Sequence, residues 1–229
     1  MKSFFFRNFA LERHDKQSKM EIRAVITGDI VRSEQIAIDK RDLLLEVLRD
    51  IIRDLQNKSP MKMEIFRGDS FQIVLECPEA ALEIATMIRA GLKASSPTGV
   101  WDARLSIGIG TINYQSNSIV TSDGEAFKLS GRGLDAMGKN RLAAKTCWED
   151  VNEGLDVLLP FVDDLITGWS VNQANVVYHS IALGLLQADI ATNIGKSQQN
   201  VSKMLNSSKE SLLKLSLKYF ETIIVKHKG

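Results

Sequence analysis

Two aspartates, each preceded by a glycine, stand out among the residues whose side chains do chemistry. Asp29 follows the apolar run AVIT in RAVITGDIVRS, and Asp69 lies in FRGDSF between two further apolar runs. Two carboxylates that come close repel each other unless a cation lies between them. Mg²⁺ takes oxygen ligands, commonly one or two carboxylates together with substrate phosphates. The pair is therefore a candidate metal centre. The alternative is that each aspartate only shapes a turn, a common role for this residue.

The elements around the two aspartates are predicted to bring them to one edge of a sheet. Residues 21–27 predict a strand, and KRDLLLEVLRDIIRDLQNK predicts an amphipathic helix. KMEIF and FQIVLE predict a hairpin with RGDS as its turn, followed by a helix, the strand ARLSIGIGTI and another helix. This order predicts an α+β, ferredoxin-like antiparallel sheet with helices on one face. Its first strand neighbours the hairpin, so we expect Asp29 and Asp69 to meet.

Four stretches resemble, in order and spacing, the catalytic domain of class III nucleotidyl cyclases: AVITGDIVRS, IFRGDSFQIVL, RLSIGIGTI and DGEAFKLSGRGLD. The resemblance covers about residues 20–150. It implies that Asp29 and Asp69 bind Mg²⁺ or Mn²⁺, with Ile30 contributing a backbone carbonyl. It also implies that Ile30 and Val31 contact the nucleotide, a nucleoside triphosphate or cyclic nucleotide, and that Arg132 stabilises a transition state.

The chain departs from the cyclase pattern at two positions that read the substrate. Lys128 replaces an asparagine that orients the ribose, and Ile65 replaces a base-reading lysine or glutamate, with Glu64 one place away. We keep Lys128 as a candidate catalytic residue beside Arg132. The guanidinium groups of Arg67 and Arg132 suit phosphate oxygens, although the same residues also suit pairing with local surface carboxylates.

A helix-turn-helix is predicted from LLQADIATNIGKSQQNVSKML, where Gly195 permits a left-handed turn and Ser197 caps the second helix. The second helix of such a module enters the major groove of DNA by its N-terminal residues. The predicted DNA-binding residues are Ser197, Gln198, Gln199, Asn200, Ser202 and Lys203. The alternative is a three-helix module that makes only protein contacts.

The chain divides, on this interpretation, into four segments. An N-terminal extension spans residues 1–20, a cyclase-like domain 21–150, a helical linker 151–175 that breaks at Pro160 and near Gly168, and an all-α helix-turn-helix domain 176–229. The final amphipathic helix, in SKESLLKLSLKYFETIIVKH, packs this module or pairs two chains, so a homodimer is expected. A cyclase-like half joined to a helix-turn-helix half resembles the SatD family of bacterial proteins.

The composition excludes several classes of protein. The 229 residues are 44% apolar and 25% charged, with a net charge of +1, so global charge predicts no partner. Cys77 and Cys147 form no C-x-x-C, and the three histidines are scattered, so no zinc site is predicted. No apolar run is long enough to span a membrane and no secretion signal is present, so we expect no membrane partner and a cytoplasmic location.

Two functions follow from these patterns. The first is a DNA-binding transcriptional regulator whose cyclase-like domain binds a Mg²⁺–nucleotide as its signal. The second is an enzyme, a nucleotidyl cyclase or nucleotidyltransferase with two metals at Asp29 and Asp69. A degenerate fold that acts only as a dimer scaffold is a third, simpler alternative.

Overall fold

A computed structural model gives the structure, which describes residues 21–66, 68–97, 101–113 and 123–229. The predicted N-terminal extension, residues 1–20, lies outside the described residues. The strands are β1 (Glu21–Ile30), β2 (Met61–Phe66), β3 (Ser70–Leu75), β4 (Ala103–Asn113), β5 (Asp123–Gly124) and β6 (Leu142–Thr146). The α-helices are α1 (Ile38–Asp54), α2 (Ala81–Ser95), α3 (Glu125–Ala136), α4 (Glu149–Thr167), α5 (Val171–Ile181), α6 (Gln187–Asn193), α7 (Gln198–Ser207) and α8 (Glu210–Lys228).

The sheet has the strand order β2-β3-β1-β4, with β5 and β6 both beside β4. β1 runs antiparallel to both of its neighbours, β3 and β4, so the predicted antiparallel sheet is confirmed. β6 departs from this pattern because it runs parallel to β4. A parallel pair needs a crossover between its strands, and α3 provides it here.

Both faces of the sheet carry helices, so the expectation of helices on one face is wrong. Side chains alternate along β1: Ala24 and Ile26 belong to the main core with α1 and α2, whereas Val25 packs in a smaller cluster with Ala126 of α3. A glycine permits this second layer. A Cβ atom at Gly108 in β4 would lie 2.1 Å from the carbonyl oxygen of Ala126, so only glycine lets α3 lie so close.

The C-terminal helices extend the core of the sheet. Buried residues of α4, α5 and α8, such as Leu155, Val176 and Phe220, belong to the same apolar cluster as Ile26 of β1. α4 continues through Pro160, so the predicted break there is wrong. Pro160 is exposed, and solvent can satisfy the carbonyl that loses its intrahelical hydrogen bond.

The helix α4 ends at Thr167, next to Gly168, as predicted. No α-helix in the described ranges is both long and apolar enough to cross a bilayer. The division of the chain into domains stays a prediction.

Candidate functional site

The end of β1 and the turn of the β2–β3 hairpin meet at one end of the sheet. Asp29 pairs with Ser70 in the strand ladder, and the Ile30 amide donates a hydrogen bond to the carbonyl oxygen of Asp69 at 3.0 Å. Gly68 takes a positive φ of 78° at the turn. The main chains of the two Gly-Asp pairs are therefore neighbours.

The two carboxylates nevertheless have separate environments. Asp29 shares a strand face with Thr27, whose hydroxyl lies 2.8 Å from that of Ser130 in α3. Its carboxylate accepts hydrogen bonds from Arg104, through Nε at 2.9 Å and through a terminal guanidinium nitrogen. The hydrogen bond to Asp29 raises the pKa of Arg104 further above its ordinary value. Asp29 thus has a cation already in contact.

Asp69 lies in a cavity of about 270 Å³ on the α1 side of the sheet. The hydroxyl of Ser33 donates to Asp69 Oδ2 at 2.6 Å. The guanidinium group of Arg41 donates to the carbonyl oxygens of Ile36 and Ser33, both at 3.1 Å, and so fixes the turn between β1 and α1. The cavity is lined by Ile30, Ser33, Ile36, Arg41, Asp42, Leu44, Leu45, Gly68 and Asp69.

The surroundings of the two carboxylates do not fit a divalent cation that bridges Asp29 and Asp69. Arg104 supplies the positive charge beside Asp29, and Ser33 bonds to Asp69. In the part of the chain that the structure describes, no group of three or more His, Cys, Asp or Glu residues is placed to hold a metal ion. The carbonyl role of Ile30 and the choice of Mg²⁺ or Mn²⁺ stay predictions.

The other predicted nucleotide and catalytic residues are dispersed. Val31 lines a second cavity, and its amide donates to the carbonyl of Asp102 at 2.9 Å. Lys128 and Arg132 are exposed on α3, on the other face of the sheet from the Asp69 cavity, and Lys128 Nζ lies 3.5 Å from Asp123. Arg67 lies outside the described residues.

A buried charge cluster, defined here as Arg89, Lys93, Asp102, Arg141 and Asp163, was not anticipated from the sequence. Arg89 is fully buried and lies 2.9 Å from Asp102 and 2.7 Å from Asp163. Burial alone would raise the pKa of Asp102, but hydrogen bonds from Arg89 and Arg141 and the positive charges of Arg89 and Lys93 hold that pKa below its ordinary value. The available signal was Arg89 within the mostly apolar stretch AALEIATMIRAGL.

The predicted DNA-binding residues lie at the start of α7. The hydroxyl of Ser197 accepts a hydrogen bond from the backbone amide of Asn200 at 3.3 Å. Gly195 takes a φ of 62° in the turn that precedes α7. Val201 and Leu205 are buried. Ser202 is half-buried, and the remaining members of the set are exposed: Ser197, Gln198, Gln199, Asn200 and Lys203.

Comparisons with known proteins give one family and distant structural likenesses. The model of the SatD family matches residues 23–223. A bacterial light-regulated adenylyl cyclase is 16% identical, with a TM-score of 0.44 over 55% of this chain and 76% of that one. The active GGEEF domain of a diguanylate cyclase from Vibrio cholerae is 22% identical, with a TM-score of 0.38 over 56% of this chain and 85% of that one. No curated protein matches the sequence.

Proposed function

This chain belongs to the SatD family, and we propose that it is a DNA-binding regulatory protein whose sheet binds a nucleotide as its signal. The observation that carries the proposal is the pair α6 and α7, two short helices joined by a turn at Gly195. Buried Ile190, Val201 and Leu205 hold the two helices together while the N-terminal turn of α7 is exposed. A helix-turn-helix requires this arrangement.

The chemistry of α7 suits DNA. Residues 190–208 contain two lysines, Lys196 and Lys203, and no aspartate or glutamate, so no local carboxylate repels the phosphate backbone. Gln198, Gln199 and Asn200 carry amides, which pair with adenine edges in the major groove, whereas Lys203 suits a phosphate or guanine. Ser197 and Ser202 provide further hydroxyl donors.

The nucleotide is assigned to the cavity beside Asp69. The sequence motifs shared with cyclases imply a nucleotide near the end of the first strand and the hairpin turn, and this cavity is lined by Ile30 and Asp69 of those two segments. Asp69 and Asp42 accept hydrogen bonds from ribose hydroxyl or base amino groups, and Arg41 adds a positive charge. No step of this proposal requires a metal ion.

Coupling between the two sites needs a ligand that prefers one arrangement of the helices. The apolar core is continuous from the sheet through α4, α5 and α8, so a change at the sheet has a packed route to α7. α7 contacts α5 and α8, which are themselves packed on α2 and α4.

A homodimer is part of the proposal, because paired helix-turn-helix modules read two half-sites. Val157 and Phe161 of α4 are 66% and 72% exposed, and Leu215 of α8 is 68% exposed. α4 and α8 contact each other, and the proposal assigns these exposed apolar side chains to the contact with a second copy. Light scattering on the wild type and on Leu215→Lys tests this part, and a monomeric wild type would contradict it.

Selection of duplexes from a random DNA library, followed by anisotropy titration, tests DNA binding. We expect Gln199→Ala to weaken binding of the selected duplex by about 1–3 kcal/mol. We expect Lys203→Ala to reduce, by about 1, the slope of the logarithm of the binding constant against the logarithm of the salt concentration. Arg53→Ala on the exposed face of α1 removes the same charge elsewhere and is expected to bind as the wild type does. Equal affinity in all four proteins, or no selected duplex, would reject the proposal.

The second candidate function is nucleotidyl transfer. It is favoured by the approach of the Asp29 and Asp69 main chains and by Arg132, which forms no ion pair with a described residue. Incubation with the four ribonucleoside triphosphates and Mn²⁺, beside Asp29→Ala, tests it. Pyrophosphate release that vanishes in the variant would establish an enzyme, and absence of release from the wild type would exclude this candidate.

A further inference from the structure

The buried charge cluster contains more cations than carboxylates. Arg89 donates to both oxygens of Asp102, at 2.9 and 3.0 Å, and to Asp163 at 2.7 Å. Arg141 donates to Asp102 at 2.7 Å, and Lys93 Nζ donates to the carbonyl oxygen of Thr167 at 2.8 Å. Three cations therefore face two carboxylates. Arg89 and Lys93 are buried and Arg141 is 30% exposed, so an anion that enters beside Arg141 would balance the excess positive charge.

A cavity of about 270 Å³ opens directly onto this cluster. It is lined by Val31, Arg32, Gln35, Ile36, Lys93, Trp101, Asp102 and Arg141. Arg32, Lys93 and Arg141 give the lining three positive charges against the single carboxylate of Asp102. The cavity is separate in position from the one beside Asp69, although Ile36 lines both.

The one carboxylate in this lining has little capacity left for a ligand. Asp102 Oδ1 accepts from Arg89 and from the Ala103 amide, both at 2.9 Å, and Oδ2 accepts from Arg89 and Arg141. Arg141, by contrast, uses only one terminal nitrogen of its guanidinium group in hydrogen bonds to described residues. The cavity therefore presents donors, and a ligand for it must bring acceptors.

Arg32 completes the donor set from the rim. Its backbone has a φ of 54°, a left-handed conformation that is unfavourable for residues other than glycine, asparagine and aspartate. Its exposed side chain forms no hydrogen bond or ion pair with any described residue. Backbone strain of this kind persists where the surroundings enforce it and often accompanies a binding site.

We propose that this cavity, between Arg32, Lys93 and Arg141, binds the phosphate group of a small ligand. Guanidinium groups bind phosphate oxygens through paired hydrogen bonds, and a lysine adds a point charge. The volume lies just below the range of drug-sized pockets, about 300–1,000 Å³, which suits a small phosphorylated molecule or free phosphate. The proposal does not depend on DNA binding or on nucleotide binding beside Asp69.

Isothermal titration calorimetry with inorganic phosphate, ribose 5-phosphate and AMP tests the site. We expect saturable one-to-one binding of at least one probe, weakened at least about tenfold in Arg32→Gln and in Arg141→Gln. Arg53→Gln removes a guanidinium group from the surface of α1 and is expected to bind as the wild type does. Arg32→Gln lies outside the buried ion pairs, so it carries the test if Arg141→Gln does not fold.

The outcomes separate this site from the nucleotide site. Tighter binding of ribose 5-phosphate than of phosphate would identify a phosphorylated metabolite as the ligand, and equal binding would identify phosphate itself. Binding of AMP that is lost in Ser33→Ala but retained in Arg32→Gln would belong to the Asp69 cavity. The proposal would be overturned if AMP binds only in this way and neither phosphate nor ribose 5-phosphate binds. It would also be overturned if the wild type and both arginine variants bind the probes equally.

Discussion

Arg104 and Asp29 form a two-bond ion pair across adjacent strands, with Nε of the arginine 2.9 Å from Oδ1 of the aspartate. The two residues are direct partners in the β1–β4 register, which places their side chains on the same face of the sheet. The carboxylate that the sequence offers as a metal ligand therefore has its counter-charge within the same chain.

Removal of Arg104 is predicted to create a dependence on divalent cations. In Arg104→Gln the Asp29 carboxylate loses its partner cation. The affinity of this carboxylate for Mg²⁺ or Mn²⁺ should therefore increase. A cation at ten times its dissociation constant would add about 1.4 kcal/mol to the free energy of unfolding. Thermal melting with and without each metal measures this, and we expect no such rise for the wild type.

The double variant Asp29→Asn, Arg104→Gln is the matched control, and its melting temperature should not respond to either metal. A wild-type protein that is stabilised by Mg²⁺, with the effect lost in Asp29→Asn, would contradict the assignment of Arg104 as the counter-charge.

The contact of α3 with the sheet is predicted to depend on Gly108. The change Gly108→Ala puts a Cβ atom 2.1 Å from the carbonyl oxygen of Ala126, so α3 must move, and we expect a loss of about 1–3 kcal/mol in the free energy of unfolding. Gly131→Ala is the control on α3 itself. Its Cβ atom meets nothing within 4 Å, and a helical alanine is favoured by about 1 kcal/mol. Urea denaturation should therefore show a lower free energy of unfolding for Gly108→Ala and a higher one for Gly131→Ala. Changes in the same direction for both variants would refute this account.

Asp102 is predicted to control stability in acid. Asp102→Asn leaves Arg89 buried with Asp163 alone, so the free energy of unfolding at pH 7 should fall by roughly 3–5 kcal/mol. Because the pKa of Asp102 is lower in the folded chain, its contribution is full above the ordinary value of about 3.9 and is lost as the pH falls through the folded value.

The difference between the wild type and Asp102→Asn should accordingly shrink as urea denaturation is repeated at pH values below 4. Asp50→Asn, which removes an exposed partner of Arg53, should change the free energy of unfolding by less than about 1 kcal/mol at every pH. A difference for Asp102→Asn that stays constant down to pH 2 would be inconsistent with a depressed pKa.

The backbone conformation of Arg32 is predicted to lower the stability of the fold, while its side chain contributes to phosphate binding. Arg32→Gly relieves a left-handed backbone, so the free energy of unfolding should rise by up to about 1 kcal/mol while phosphate binding weakens. Lys209→Gly relieves the other positive φ among described non-glycine residues, 58°, and should leave phosphate affinity unchanged. Thermal melting and calorimetry on both variants measure the two effects. Lower stability in Arg32→Gly would show that its side chain supports the fold instead.

Local features of this protein were predictable from its sequence. The β-branched run in β1, the apolar repeat in α1 and the hairpin turn at Gly68 each depend on neighbouring residues, and the structure confirms these elements. The same holds for the turn at Gly195 and the cap at Ser197. Such signals work because a helix cap, a turn or strand alternation is decided within a few residues.

The partners of the charged side chains were decided only by the tertiary structure. Arg104 reaches Asp29 across 75 residues of sequence, and Arg89 reaches Asp163 across 74. A shift of one residue in strand register would turn Asp29 to the opposite face of the sheet. The sequence therefore determined only that Asp29 lies near the end of one strand and that Asp69 lies just before another. Packing of α3 on one face and of α1 and α2 on the other decided that their carboxylates have different partners.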